Sequence, residues 1–241
     1  MSLSARTRIP LAILAGGYAK RMGALTRRLP KSLLPVQEDA CFLDYQLAWA
    51  RRQGIRRVVV CVGHLSAPIR RHLRGFSAGE MCIRTSDEGG RPLGTAAALR
   101  RALPHLGERF FVLYGDSYLP VEYAAAERAQ RDSRCPALMV VYRNQGRYDR
   151  GNVEPGRGGV CRYVPGGSGH MHWIDAGLSV FSTGALQAAP AGDLPALFAA
   201  LAANGMLACH RVRRRFYEVG SKAGLAEFRR RAARLRAQAG W

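Results

Sequence analysis

The sequence predicts an α/β fold, a doubly wound and mostly parallel sheet, and three observations carry that expectation. Short apolar runs alternate with amphipathic segments along the chain, several of those runs stop at glycines, and no linker long enough to divide the 241 residues interrupts the alternation. Strand-like and helix-like segments in such alternation pack as helices on both faces of a parallel sheet. A single domain over residues 1–241 is therefore expected.

The elements follow in order. "PLAILAGG" is an apolar strand running into a glycine loop, and "FLDYQLAWARRQG" is helical, closed by Gly54 as a C-cap. The strand "IRRVVVCVG", a helix after Ser66 and the strand "EMCIRTS" come next. "TAAALRRALPHLG" reads as a helix with Thr95 near its start, and "RFFVLYGDS" as a strand ending in a glycine and an acid. Helical "VEYAAAERAQRDS" and the strand "PALMVVYRNQ" complete the alternation. From Arg147 to Gly169 glycine, proline and arginine dominate, which predicts turns between short strands and a small antiparallel lobe over about 147–180. The strand "HWIDAGLSVF", the helical "DLPALFAALAANG" and a last strand–helix pair from Met206 close the chain. Leu225, Phe228, Ala232 and Leu235 recur at helical spacing, so an amphipathic helix is expected over about 221–238, with arginines on its wet face.

Composition narrows the function classes. The chain is 48% apolar and 22% charged, as globular proteins are. It has no apolar run of transmembrane length, and its first apolar run is too short for a signal peptide. A cytoplasmic protein without a membrane partner is expected. Six scattered cysteines, with no C-x-x-C pair and no histidine at zinc-ligand spacing, read as buried thiols and not as a disulfide framework or a structural zinc site. The formal net charge of +20 raises the question of a polyanionic partner. A basic RNA-binding protein is one reading of it, but the arginines are not interleaved with stacking aromatics, so no nucleic-acid partner is expected. Whether the chain forms a homo-oligomer is left open.

Chemistry concentrates at the predicted strand ends. In an open parallel sheet, ligands bind beyond the carboxyl ends of the strands. Ala15, Gly16 and Gly17 follow the first strand, and Gly115 and Asp116 follow "FFVLY", so both groups should face one crevice. Glycines let backbone N–H groups approach a phosphate, and Arg21 and Lys31 lie close behind to offset its charge. Neither G-x-x-x-x-G-K-[ST] nor G-x-G-x-x-G occurs, so this is neither a Walker loop nor the dinucleotide fingerprint.

The whole stretch "LAGGYAKRMGALTRRLPKSLLPV" resembles the opening motif of the sugar-1-phosphate nucleotidyltransferases, L-A-G-G-x-G-T-R-L-x-P-L-T-x-x-x-P-K-x-L-x-P-V. "RPLGTAAALRRAL", "YGDSYLP" and "FYEVGSKAGLAEF" fall in that family's order, so the resemblance runs from about Leu11 to Phe228. It implies a Rossmann-like nucleotidyltransferase fold in which Ala15, Gly16 and Gly17 wrap the nucleotide phosphates. Arg21 would steady the departing pyrophosphate, Lys31 would contact the α-phosphate and the incoming sugar phosphate, and Asp116 would hold Mg²⁺. The opening alone is also similar to molybdopterin-type nucleotidyltransferases, but its continuation is not.

The match departs from the motif in places. The usual G-T before the arginine is Ala19-Lys20, the second metal ligand is Glu218 where the family has an aspartate, and the family's E-K-P lysine has no counterpart. Arg150, Arg157 and Arg162 are the candidates to replace that lysine. "PLGTAAAL" is most similar to the corresponding segment of mannose- and heptose-1-phosphate guanylyltransferases. That likeness implies Leu93, Gly94 and Thr95 beside a purine, GTP as donor and a heptose-like or other higher sugar 1-phosphate as acceptor. Users of UTP, CTP and dTTP share the same frame. "GNVEP" and "WIDAGLSVF" are similar to the sugar-side wall, with Asn152, Glu154, Asp175 and Gly177 lining it. His170 and His172 lack a third ligand nearby in sequence and read as packing or substrate contacts.

Overall fold

The computed structural model describes residues 7–17, 20–89, 93–187 and 192–241, with the side chains of Lys20, Arg21 and Ala24 left outside the description. Strand β1 (Leu11–Leu14) leads into a 3₁₀ segment over Lys20–Thr26 and a second over Lys31–Leu33. A hairpin follows, made by β2 (Pro35–Gln37) and β3 (Ala40–Cys41), and helix α1 (Phe42–Arg52) starts directly from it. Then come β4 (Arg57–Val62), α2 (Ser66–Gly75), β5 (Cys82–Asp87), α3 (Thr95–Ala102) and β6 (Arg109–Tyr114). Pro104 stops α3, and a short 3₁₀ turn over Leu103–His105 replaces its expected continuation. Next are β7 (Ser117–Tyr118), α4 (Tyr123–Ser133), β8 (Ala137–Arg143), β9 (Val153–Pro155), β10 (Cys161–Tyr163) and β11 (Trp173–Ser182). The chain continues through α5 (Thr183–Gln187), α6 (Leu194–Ala203), β12 (Leu207–Val212), β13 (Tyr217–Glu218) and α7 (Lys222–Ala239).

Among the described residues, nine strands form one sheet in the order β10-β9-β11-β6-β1-β4-β5, with β8 pairing β11 and β12 pairing β8. The heart of it, β6-β1-β4-β5, is parallel, as the alternation predicts. The antiparallel β9–β10 hairpin joins the sheet edge where Trp173 pairs with Val153, so it extends the sheet.

Both faces are buried, which is why the central strands read as continuous apolar runs. Leu11, Ile13, Val58, Val60, Phe111 and Leu113 pack on the face covered by α1 and α7, and Ala12, Val59, Phe110 and Val112 pack under α3 and α6. The expected stripe of Leu225, Phe228, Ala232 and Leu235 is buried along α7. Phe228 meets Phe42 edge-on at 4.9 Å, Tyr45 at 5.2 Å and Tyr118 at 5.3 Å, which ties α7 to α1 and to β7. Phe228→Ala should therefore cost about 3–5 kcal/mol, read in a denaturant titration. An unchanged midpoint would contradict the role given to this aromatic cluster. Among the described residues no helix is long and apolar enough to cross a membrane.

Candidate active site

The turn after β6 is held from three directions. Gly115 N–H donates to Leu14 O at 3.0 Å, and Val219 N–H donates to Asp116 O at 2.8 Å. Gln46, fully buried on α1, donates through Nε2 to Tyr114 O at 3.0 Å and to Ser117 O at 2.8 Å. A side chain at Gly115 would collide with the Leu14 carbonyl, so only glycine lets β6 end this close to β1. These constraints aim Asp116 into the crevice beyond the strand ends.

Lys31 reaches the same point from the other side. The 3₁₀ turn places its Nζ 2.6 Å from Asp116 Oδ2, both side chains remaining about one-fifth exposed. A cation and a carboxylate that are paired to each other and partly open to solvent can each exchange the partner for an ion from solution. The cavity around them has a volume of about 310 Å³, and Ala15, Gly16, Gly17, Lys31, Gly94, Thr95 and Asp116 are all in its wall. The backbone of Arg21 belongs to the 3₁₀ segment, but its side chain lies outside the described part. Leu93 is 40% exposed and is not in the wall.

Two carboxylates that the sequence reading passed over face this cavity. Glu88, just beyond β5, lies against the position a Cβ would take on Gly16 and accepts the Leu93 N–H at 3.0 Å. Asp193 accepts from Thr95 N–H at 2.8 Å and from Thr95 Oγ1 at 3.2 Å, while Thr95 Oγ1 accepts Leu194 N–H at 2.7 Å. Thr95 thus ties the start of α3 to the start of α6. Gly94, at φ 87°, makes room for the Gly192 carbonyl, which a Cβ would approach to 2.9 Å. The N–H groups of Leu93 and Thr95 are taken by carboxylates, so this wall offers a ligand chiefly acceptors. Ser32 was also missed; its buried Oγ sits beside Lys31 without a partner among the described residues.

Three of the residues expected on the sugar side, Asn152, Asp175 and Gly177, form a neighbouring group. Asn152 Oδ1 accepts Asp175 N–H at 2.9 Å, and Asp175 Oδ1 accepts Gly177 N–H at 2.8 Å. Pairing between β11 and β8 shifts register between Asp175 and Ser179, and Gly177, at φ 86°, lets Ser117 pack where a side chain would stand. That irregularity brings Asp175 beside the Asp116 turn. Burial pushes the Asp175 carboxyl up to about 7, and the nearby Glu218 charge pushes in the same direction. Glu218 pairs with Ser117 across β13 and β7, and so stands next to Asp116. Asp116 and Glu218 are neighbours through that pairing, and carboxylate oxygens are the donors that suit Mg²⁺. Glu154 points away: it is exposed on β9 and faces Arg162 at 3.7 Å. That contact also occupies one of the three arginines considered for the missing lysine. His170 and His172 are exposed, and the His172 carbonyl accepts the Asn144 and Gln145 N–H groups.

Comparison with known proteins bears on the family and the fold. Residues 11–190 match the nucleotidyl transferase family. A D-glycero-α-D-manno-heptose 1-phosphate guanylyltransferase of Campylobacter jejuni is 28% identical over 142 residues, which are 59% of this chain and 62% of that protein. A UTP–glucose-1-phosphate uridylyltransferase of Synechocystis is 26% identical over 140 residues, 54% of this chain and 36% of that one. The chain thus spans less than two thirds of the length of either relative. Among solved structures, HddC from Yersinia pseudotuberculosis superposes with a TM-score of 0.79 at 17% identity, covering 93% of this chain and 99% of that one. A second structure of HddC, in complex with GMP-PN, superposes with a TM-score of 0.75 at 16% identity.

Proposed function

The chain belongs to the nucleotidyl transferase family, and from that premise we propose that it transfers a nucleoside monophosphate from a nucleoside triphosphate to a sugar 1-phosphate. GTP is the proposed donor, and a heptose-like or other higher sugar 1-phosphate the proposed acceptor. The observation that carries the reading is the Lys31–Asp116 pair, facing the Gly16-Gly17 loop across a cavity at the strand ends.

In the proposed reaction a sugar-phosphate oxygen attacks the α-phosphorus in line. The bond from that phosphorus to the bridging oxygen of the β-phosphate breaks, and pyrophosphate leaves with the electron pair. Two anions must meet, so the protein's task is mainly positioning and charge compensation. Backbone N–H groups around Gly16 and Gly17 hold the triphosphate, Lys31 turns from Asp116 to the α-phosphate oxygens, and Arg21 steadies the departing pyrophosphate. Asp116 and Glu218 would hold Mg²⁺, which offsets phosphate charge when bound. Asn152, Asp175 and Gly177 line the sugar side, where Asp175 offers hydrogen bonds to hydroxyls.

Guanine is supported by the acceptor-rich wall. Its Watson–Crick edge presents N1–H and N2–H₂ donors together, whereas uracil and thymine present one N–H there, and a carboxylate only accepts. The Glu88 carboxylate faces the cavity over Gly16 and is the proposed reader of that edge. The likeness to the heptose 1-phosphate guanylyltransferase and to a neighbour that holds GMP-PN supports the same base. The similar uridylyltransferase keeps UTP as the second reading.

A pyrophosphate-release screen of all nucleoside triphosphates against a panel of sugar 1-phosphates tests the assignment. The highest kcat/KM should come from GTP with a heptose or other higher sugar 1-phosphate. Faster turnover of a pyrimidine nucleotide would remove the guanine assignment. Glu88→Gln replaces an acceptor oxygen with a donor, and a charged hydrogen bond contributes about 1.5–3 kcal/mol. It should therefore lower the GTP-over-UTP ratio of kcat/KM by roughly ten- to a hundredfold. An unchanged ratio would take base reading away from Glu88.

A further inference from the structure

Away from the crevice, α1 and α2 bring a cysteine, an aspartate and a histidine together. Cys41 closes β3 and is the N-cap of α1, and its N–H donates to Asp44 Oδ2 at 2.8 Å. His72, in the last turn of α2, places Nε2 2.6 Å from Asp44 Oδ1 and 3.5 Å from Cys41 Sγ. One donor atom from each residue lies within 4.8 Å of the other two. Cys41 and Asp44 are 8% and 4% exposed, whereas half-buried His72 opens onto a surface cavity of about 460 Å³.

We propose that Cys41, Asp44 and His72 form a Zn²⁺ site with its fourth position facing that cavity. Tetrahedral zinc, with sulfur at about 2.3 Å and imidazole nitrogen at about 2.0–2.1 Å, separates the two ligand atoms by about 3.5 Å. That is the spacing between Cys41 Sγ and His72 Nε2. The nitrogen–oxygen separation must widen from 2.6 Å to about 3.3 Å by the same geometry, a small shift for a side chain on the open side of the cluster.

Without a metal, the Asp44 carboxylate takes the hydrogen bonds of both the Cys41 thiol and the His72 ring; one cation would replace them and be held by all three donor atoms. Thiolate and carboxylate together neutralise a dication. Arg236, which lines the same cavity, is already paired with Asp39 through contacts of 2.9 and 2.8 Å. The Cys41 N–H bond to Oδ2 fixes the orientation of the carboxylate, and Oδ1 would exchange its His72 contact for the metal. Sulfur and imidazole ligands select zinc over Mg²⁺, so this site does not compete with the carboxylates of the crevice.

The ligands are 28 residues apart between Asp44 and His72, a spacing that no zinc motif in the sequence reveals. Pro35 pairs with Cys41, and Leu34 O accepts Phe42 N–H at 3.1 Å. A zinc ion here therefore clamps α2 to the hairpin that follows Lys31.

The test uses the full chain, stripped with EDTA, dialysed into excess Mg²⁺ and titrated with Co²⁺ as a spectroscopic probe. One equivalent should give a sulfur-to-cobalt charge-transfer band in the near ultraviolet, which Zn²⁺ then removes. Cys41→Ser, which keeps a good N-cap, and His72→Gln should each abolish the band. Each should also weaken Zn²⁺ binding by tenfold or more in competition with a chromophoric chelator. Cys82→Ser, an exposed thiol elsewhere, should leave the band intact. Far-UV circular dichroism checks the fold, and if Cys41→Ser fails to fold, His72→Gln decides by itself. No band in the parent protein, or a band that persists in folded His72→Gln, overturns the site.

Discussion

Asp116→Asn should lower turnover by about three orders of magnitude or more while leaving the fold intact. The substitution keeps size and backbone bonding but removes the charge proposed to hold Mg²⁺, and metal stabilisation of a phosphoryl transition state amounts to about 4 kcal/mol. Each 1.36 kcal/mol is about tenfold in rate. The backbone bonds from Val219 and the Gln46 contacts to either side do not involve the carboxyl group. The Lys31 partner is partly solvated, so losing the ion pair should change stability by only about 0–1 kcal/mol. Turnover measured across a Mg²⁺ titration, beside a thermal melt, checks this. Wild-type turnover in a folded Asp116→Asn protein, or in excess EDTA, would remove the metal from the account.

Lys31→Ala is expected to cost roughly 10²–10³-fold in kcat, the scale for removing one donor that acts in the transition state. The lysine ammonium is a point charge on a flexible stem, suited to leaving Asp116 for a phosphate oxygen. Lys31→Arg should rescue only part of the loss, because a planar fork does not replace a compact ammonium point charge. Loss confined to KM would instead make Lys31 a simple binding contact. Arg21→Ala should lose a hundredfold or more on the strength of its place in the motif.

How far the sequence reached depended on whether a signal was local. β1, β4 and β6 are buried on both faces and declare themselves as apolar runs, and Gly54, at φ 83°, ends α1 as its position implies. The stripe of α7 was equally legible. By contrast, β2, β3, β7 and β13 span two or three residues each and are strands only because a partner is present. The pairing of β13 with β7 sets Glu218 beside Asp116, roughly a hundred residues earlier, and no periodicity announces it.

The site divides the same way. Gly16, Gly17, Lys31 and Asp116 belong to motifs and come together in one wall. Glu88 and Asp193 reach that wall through the neighbouring of β5, β4 and β1 and through the docking of α6 on α3, which are tertiary facts. Gln46 interrupts an otherwise apolar helix face, a cue that a buried polar side chain has a fixed task. Glu154 shows the value of period two: Val153 is buried, so its neighbour turns outward to Arg162.

The central claim is that triphosphate cleavage in this crevice is coupled to a sugar phosphate. Phosphorus NMR of the reaction with GTP, Mg²⁺ and a heptose 1-phosphate tests it most directly. One pyrophosphate is expected for each new diphosphate-linked sugar nucleotide, and neither product when the sugar phosphate is omitted or replaced by the unphosphorylated sugar. Pyrophosphate or phosphate released at the same rate without any sugar 1-phosphate of the panel, and with no diphosphate-linked product, would contradict it.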